Sequence, residues 1–222
     1  VDASPQNEQW LSTFSNADAV FTYSDWGAEV LKKESNGAIN CLGSAPPSAD
    51  EAYKPVEDKK AHKSEMGFDP DSQIIGTVMR NQRRKLFPDL FDSFSKFLQS
   101  SGKKDVYLYC HTSYPDLGWD IPKLLNKYKI ASKVLFTYSC GECGHSFPNF
   151  FSDARTKCPR CGKLSASFSN VQKGVSYEYL SKVMNVFDLY IQYSNSEGFG
   201  LPQVEAAACG IPVMSVDYSA IQ

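Results

Sequence analysis

Two carboxylates, Glu197 and Glu205, stand either side of a seven-residue spacer in the stretch SEGFGLPQVEAAACGIPV, Ser196 to Val213. Gly198 and Gly200 fall between them, and Pro202 opens what reads as a helix. A glycine lets backbone approach a ligand because no Cβ stands in the way. Proline at the first helical position leaves free N–H groups and the positive end of the helix dipole aimed at an anion. Glu205, in the first turn, suits both hydroxyls of a ribose, and Glu197, ahead of the turn, suits a bound sugar. The plainer reading is that Glu205 complements the helix dipole and the glycines only serve a turn.

A second constellation is GTVMRNQRRK, Gly76 to Lys85, with four cations in six residues of a chain whose formal net charge is −2. Arg80 and Lys85 lie past a strand end and before a helix. Guanidinium offers phosphate a planar fork, ammonium a compact point charge. A solvated helix start is the alternative, but cations there oppose the helix dipole and destabilise it unless an anion is bound.

The third is CGECGHSFPNFFSDARTKCPRC, with two C-x-x-C pairs, Cys140 with Cys143 and Cys158 with Cys161, separated by fourteen residues. Four thiolates so spaced close a tetrahedral zinc site and leave no open position, which makes the expected metal structural, not catalytic. Two disulfides or a redox pair are the alternatives, and His145 is a less favoured ligand. The other three of the seven cysteines, Cys41, Cys110 and Cys209, sit in apolar surroundings and read as small buried hydrophobes.

The elements that must position these groups follow from periodicity. Asn7 to Ala17 reads as a helix, Ala19 to Ser24 as a strand and Trp26 to Glu34 as a helix. Between Cys41 and Asp71 the composition turns to Pro, Ser, Asp, Glu and Lys, which predicts a linker or surface-hugging loop. Strands are then predicted at Gln73–Val78, Asp105–Cys110, Lys133–Ser139, Phe187–Ser194 and Ile211–Asp217. They alternate with helices over Leu86–Leu98, Gly118–Tyr128, a segment capped by Ser176, and one from Pro202. That alternation implies a parallel sheet covered on both faces, with ligands beyond the carboxyl ends of the strands, in the loops after Val78, Phe136, Ser194 and Val216.

Composition narrows the class. With 222 residues, 42% hydrophobic, the chain can bury a sizeable core. A net charge of −2 exerts no general pull on nucleic acid or anionic membrane. No apolar run approaches the roughly 20 residues of a membrane helix, and no signal peptide is evident. The odd cysteine count suits a reducing, cytoplasmic setting. Starting at Val1 and stopping just after a strand-like run, the chain reads as a piece of a longer protein.

The spacing EGFGLPQVEAAACGIPV closely resembles the E-x7-E signature of retaining glycosyltransferases with the GT-B fold. IIGTVMRNQRRKLFPDLFDSF resembles that family's first strand and helix in the donor-binding domain, with Arg80 and Lys85 at the family's separation. ADAVFTYSDWGAEVL resembles the end of the preceding acceptor-side domain. The resemblance covers most of Ala17 to Ala220 apart from the cysteine block, which departs from the family pattern in a loop near the nucleobase. It implies a Rossmann-like α/β domain: residues 1–45 the tail of the acceptor domain, 46–72 a linker, 73–222 the nucleotide-sugar domain, truncated at its C-terminus, and about 138–166 an inserted zinc ribbon. It implies a nucleoside-diphosphate sugar as donor, a sugar, lipid or protein acceptor, and no catalytic metal. Arg80 and Lys85 would hold the diphosphate, and Glu205 the ribose. Glu197 would orient the sugar, with backbone N–H groups around Phe199, Gly200 and Leu201 beside it. The fragment alone is expected to bind nucleotide without efficient hexosyl transfer. Competing readings are a zinc-ribbon protein- or nucleic-acid-binding module on an inactive domain, and a same-fold epimerase or phosphorylase.

Overall fold

The computed structural model describes residues 1–221 and contains an α/β sheet of eight strands with a smaller unit before it. The first unit comprises α1 (Glu8–Ser15), β1 (Val20–Thr22), α2 (Asp25–Glu34) and β2 (Cys41–Ser44), with β1 and β2 paired in parallel. Ala28, Leu31, Ile39 and Cys41 form its core, while Phe21, Tyr23 and Leu42 stay exposed.

The segment read as a linker is structured. It carries α3 (Lys59–Glu65), and Tyr53, Ala49, Met66 and Phe68 pack against one face of the large sheet. Its charged residues explain why. Lys63 is buried and donates to both carboxylate oxygens of Asp188, at 2.7 and 2.9 Å, and to the Ser72 carbonyl at 2.8 Å. Asp188 in turn accepts from the Ile74 N–H at 2.8 Å. The polar composition that looks like linker therefore carries paired charges that anchor the segment to two strand starts.

The large sheet runs β10 (Val213–Ser215), β9 (Leu189–Gln192), β3 (Gln73–Val78), β4 (Val106–His111) and β5 (Val134–Cys140), all parallel. Alternation along β4 sends Leu108 and Cys110 into one core with Phe87, Phe91 and Ile121, and Tyr109 into the other with Ile74, Phe187 and Tyr190. Helices α4 (Phe87–Ser101) and α5 (Ile121–Tyr128) cover the first face, and α6 (Tyr177–Asn185) and α7 (Leu201–Ala208) the second. Their ends obey local chemistry. Asp120 accepts from Lys123 N–H and Ser176 from Tyr179 N–H, each such cap contributing about 1 kcal/mol. Gly102 ends α4 at φ 64°.

The cysteine block is not a separate lobe. β5 continues past Phe136 to Cys140, pairing antiparallel with β6 (Ser146–Phe150) over Leu135 to Ser139 and with β8 (Leu164–Phe168) over Tyr138 to Cys140; β7 (Thr156–Lys157) adds to β8. Cys140, Cys158, Phe147 and Ala166 belong to the same buried cluster as Phe136 and Leu108. The block thus extends the main sheet and shares its core.

Candidate functional site

Strand order places the site. β3 has β4 on one side and, after a long excursion of the chain, β9 on the other. The connection after β3 leads to β4 and that after β9 leads to β10, in opposite directions, which opens a crevice beyond the carboxyl ends of β3 and β9, the position where ligands bind in such sheets. The two loops there are the cationic one after β3 and the glutamate one after β9. They are joined by backbone: Leu86 N–H donates to Tyr193 O at 3.2 Å, and Asn195 N–H to Arg84 O at 3.0 Å.

Glu197 is the centre of the crevice. It is buried, ion-paired to Lys85, and accepts from Arg84 Nη1 at 2.8 Å, Gln192 Nε2 at 2.7 Å and Ser194 Oγ at 2.8 Å. Burial opposes its ionisation, but the Lys85 charge and hydrogen bond, with those of Arg84 and Ser194, prevail and hold the carboxyl below its usual range. Its own N–H donates to Ser219 Oγ at 3.2 Å. The structure thus brings Lys85 and Glu197 together, 112 residues apart in the chain.

Arg80 is held elsewhere. Its Nε and Nη2 donate to Asp116 at 2.9 and 3.1 Å, and the Ser113 hydroxyl donates to the same carboxylate. The Arg80 hydrogen bond, with those of Ser113 and Leu117 N–H, pulls Asp116 down to about 2. Arg84, not Arg80, accompanies Lys85 at Glu197. Arg84 was visible only as one of four clustered cations, because spacing alone does not say which of them turns inward. The loop is fixed by Asn81, fully buried, whose side chain accepts from Trp119 N–H at 2.8 Å and donates to Trp119 O at 2.9 Å. Trp119 Nε1 donates to Lys85 O at 2.7 Å, and the Arg83 guanidinium lies 4.7 Å from the Trp119 ring centroid. Gly118 makes this contact possible, since a Cβ there would lie 2.2 Å from Asn81 Oδ1.

Glu205 is buried in α7, away from Lys85. Burial raises its pKa, while the facing Tyr53 phenol opposes the rise. Tyr53, from the segment read as linker, carries no local motif that would have marked it. Gly200 caps α7 at φ 84°, a conformation that side chains resist, and Pro202 falls at the second helical position, not the first, because Leu201 begins the helix. Among the described residues, a Cβ at Gly198 would meet only Val1 O, at 3.8 Å, so none of them requires glycine there.

Next to Arg80 lies a cavity of about 330 Å³ lined in part by His111, Thr112, Ser113, Ser169 and Asn170. Thr112 Oγ1 is buried and has no hydrogen-bond partner among the described residues. Burial lowers His111 to about 4, so the ring is neutral at pH 7, with Nδ1 2.8 Å from Thr137 Oγ1. Glu205 is not among the lining residues.

At the far end of β5, the sulfurs of Cys140, Cys143, Cys158 and Cys161 lie within 4.8 Å of one another, with Cys140–Cys161 at 3.6 Å and Cys143–Cys158 at 3.7 Å. A disulfide would need about 2.05 Å. A tetrahedron with metal–sulfur bonds of about 2.3 Å has edges of about 3.8 Å. Gly144 and Gly162, each following a C-x-x-C pair, adopt φ 69° and 72°, and their N–H groups turn back to Cys140 O and Cys158 O. Hydrogen bonds from Ser165 and from the Cys143 and Glu142 N–H groups pull the Cys140 thiol down to about 6. These four cysteines have the distances and chemistry to hold a metal ion.

Sucrose-phosphate synthase from Thermosynechococcus elongatus superimposes with a TM-score of 0.70 at 19% identity, over 99% of this chain and 46% of that one. HepE of Anabaena, solved with UDP and glucose, superimposes at 0.65 with 16% identity, over 97% of this chain and 50% of that one. A glycosyltransferase from Rickettsia africae gives 0.62 at 13% identity, over 99% and 50%. The fold is that of the GT-B glycosyltransferases. This chain spans about half the length of those GT-B proteins. The family model described as glycosyl transferases group 1 matches residues 169–222, the segment that contains Glu197 and Glu205. No curated protein sequence matches the chain. Among the described residues, no helix is long and apolar enough to cross a membrane.

Proposed function

We propose that this chain is the donor-binding half of a retaining glycosyltransferase that takes its sugar from a nucleoside-diphosphate sugar. The observation that carries the reading is the Glu197–Lys85–Arg84 cluster in the β3/β9 crevice, of which Glu197 lies inside the segment, residues 169–222, that matches the glycosyltransferase family model. UDP bound by HepE fits the same reading.

The roles follow from charge and reach. Lys85 and Arg84 neutralise the diphosphate and the charge that builds on the leaving nucleotide. Arg80 adds to them: Asp116 engages two of its five N–H donors, which orients the guanidinium and leaves three for phosphate. Glu197 accepts hydroxyls of the donor sugar, with backbone N–H groups from Gly198 to Leu201 beside it. Glu205 takes the ribose, with the Tyr53 phenol facing its carboxyl. The four cysteines hold a structural zinc ion; metal analysis of reduced protein is expected to return one equivalent, and disulfides in freshly prepared protein would contradict it.

Calorimetry tests the assignment. Arg80→Ala removes a charge-assisted contact of about 1.5–3 kcal/mol, a loss of roughly ten- to a hundredfold in nucleoside-diphosphate affinity. It is expected to spare the nucleoside, whereas Glu205→Ala weakens both. Equal effects on nucleoside and nucleotide in both variants would refute the division of roles.

A further inference from the structure

The cysteine cluster and the cavity beside Arg80 are two ends of one hydrogen-bonded strip. β8 pairs with β5 through Cys140↔Ala166, Ser139↔Ser167 and Tyr138↔Phe168. At the metal end, Ser165 Oγ lies 3.0 Å from Cys140 Sγ, and Gly141 N–H donates to Ser165 O at 3.0 Å. At the other end the strand runs directly into Ser169 and Asn170, which line the cavity. Ser169 donates from both its N–H and its hydroxyl to Thr137 O, each at 3.1 Å. Thr137 Oγ1 is the atom that meets His111, across the cavity wall. Ser169 O accepts in turn from Tyr114 N–H at 3.3 Å, beside Ser113 and Asp116, which orient Arg80. Ser165, Ser169, Thr137 and Tyr114 are buried or half-buried, while Gly141, Ser167 and the Arg80 guanidinium at the end of the strip are exposed.

Besides the metal, the register of this strip is set by buried Ala166, by Phe168, which packs against Tyr114, Phe136, Tyr138 and Phe151, and by a few backbone pairs. The cavity-lining turn after Phe168 is neither helix nor strand, and β8 is held by β5 over three residue pairs and by the short β7. Four sulfurs on one ion fix the end of β5, the Cys143 turn and the Cys158–Cys161 turn that leads into β8 relative to one another. Without the ion no bond joins the four sulfurs, and the Ser165 end loses that anchor.

We infer that the metal at Cys140, Cys143, Cys158 and Cys161 is a positioning element for the donor site, so that zinc and nucleotide bind cooperatively. This rests on the proposed function, with the cavity beside Arg80 taken as one wall of the nucleotide site. Zinc holds Ser169 and Asn170 as the cavity wall and, through Tyr114, sets the turn that orients Arg80. Because coupling between two sites is reciprocal, nucleotide must tighten zinc by the factor by which zinc tightens nucleotide.

The test uses the zinc-loaded chain and the same chain stripped by chelator under reducing conditions. UDP and ADP binding is measured by calorimetry, zinc affinity by competition with a chelator of known affinity, and local order by amide hydrogen exchange. Zinc is expected to tighten the better-bound nucleotide roughly tenfold, within the range common for coupled sites, with the same factor in reverse. On stripping, the Ser169 and Tyr114 amides are expected to exchange faster while β3 and β4 stay protected. Equal nucleotide affinity in both forms, with faster exchange confined to residues 141–163, overturns the inference. So does loss of protection across β3 and β4, which would make the metal a support of the whole sheet. If the loaded chain binds neither nucleotide, the nucleotide reading fails and the cooperativity with it. Exchange at Ser169 and Tyr114 still reads whether the metal sets the wall, which separates the two failures.

Discussion

Replacing Glu197 by Gln removes one charge from a buried pair and changes almost nothing in shape. The Lys85 and Glu197 side chains are 8% and 7% exposed, so the ammonium left behind cannot simply turn to water. Breaking such a pair by removing one partner costs about 3–5 kcal/mol. Lys85 can escape by giving up its proton, at about 1.4 kcal/mol for each pH unit below its usual value of about 10.4, which sets a ceiling near 4.6 kcal/mol at pH 7. Gln keeps an acceptor for Gln192 and Ser194, and the half-exposed Arg84 rehydrates at little cost. The expected destabilisation of Glu197→Gln is therefore about 3–4 kcal/mol, read as a shifted urea midpoint at unchanged slope. The double variant with Lys85→Met should recover at least about 2 kcal/mol of it, since the two residues act as one unit. A single-variant cost under about 1 kcal/mol, with additive effects in the double variant, would show that Glu197 and Lys85 are not a buried pair, and the description of the crevice would fall with it.

Three further expectations rest on separate contacts. His111, held near 4 by burial, is depressed below its unfolded value of about 6.5. Its contribution is complete above about pH 6.5 and is lost as pH falls toward 4, so the urea-derived stability of the wild type should drop by about 2 kcal/mol more than that of His111→Gln between pH 7 and 5. Gly118→Ala would push a Cβ to 2.2 Å from Asn81 Oδ1 and 2.5 Å from its carbonyl oxygen. An overpacking cost of about 1–3 kcal/mol in thermal unfolding is expected, with weaker nucleoside-diphosphate binding as the loop after β3 shifts. Lys63→Met leaves Asp188 with only the partly exposed Lys59 and the Ile74 N–H, and should detach α3 from the sheet, seen as faster amide exchange over residues 53–66.

Apolar spacing in the sequence was enough to place the five parallel strands of the large sheet and its four helices, though not β6, β7 and β8, because period two and period three to four report which faces must be buried whatever the chain does elsewhere. The cap at Ser176 and the stop at Gly102 were equally local, and so legible. The C-x-x-C pairs were enough to mark a compact sulfur cluster, since each turn presents two thiols by itself. Tertiary structure alone decided which cation meets Glu197. Arg80 and Arg84 differ by four residues and by nothing in their chemistry, but the turn around Asn81 and Trp119 sends Arg80 to Asp116 and Arg84 with Lys85 to Glu197. It also decided that Tyr53 faces Glu205, and that the cysteine block continues β5 instead of standing apart. Those facts depend on crossover order and on contacts between residues tens to more than a hundred positions apart, which no local pattern of residue types encodes.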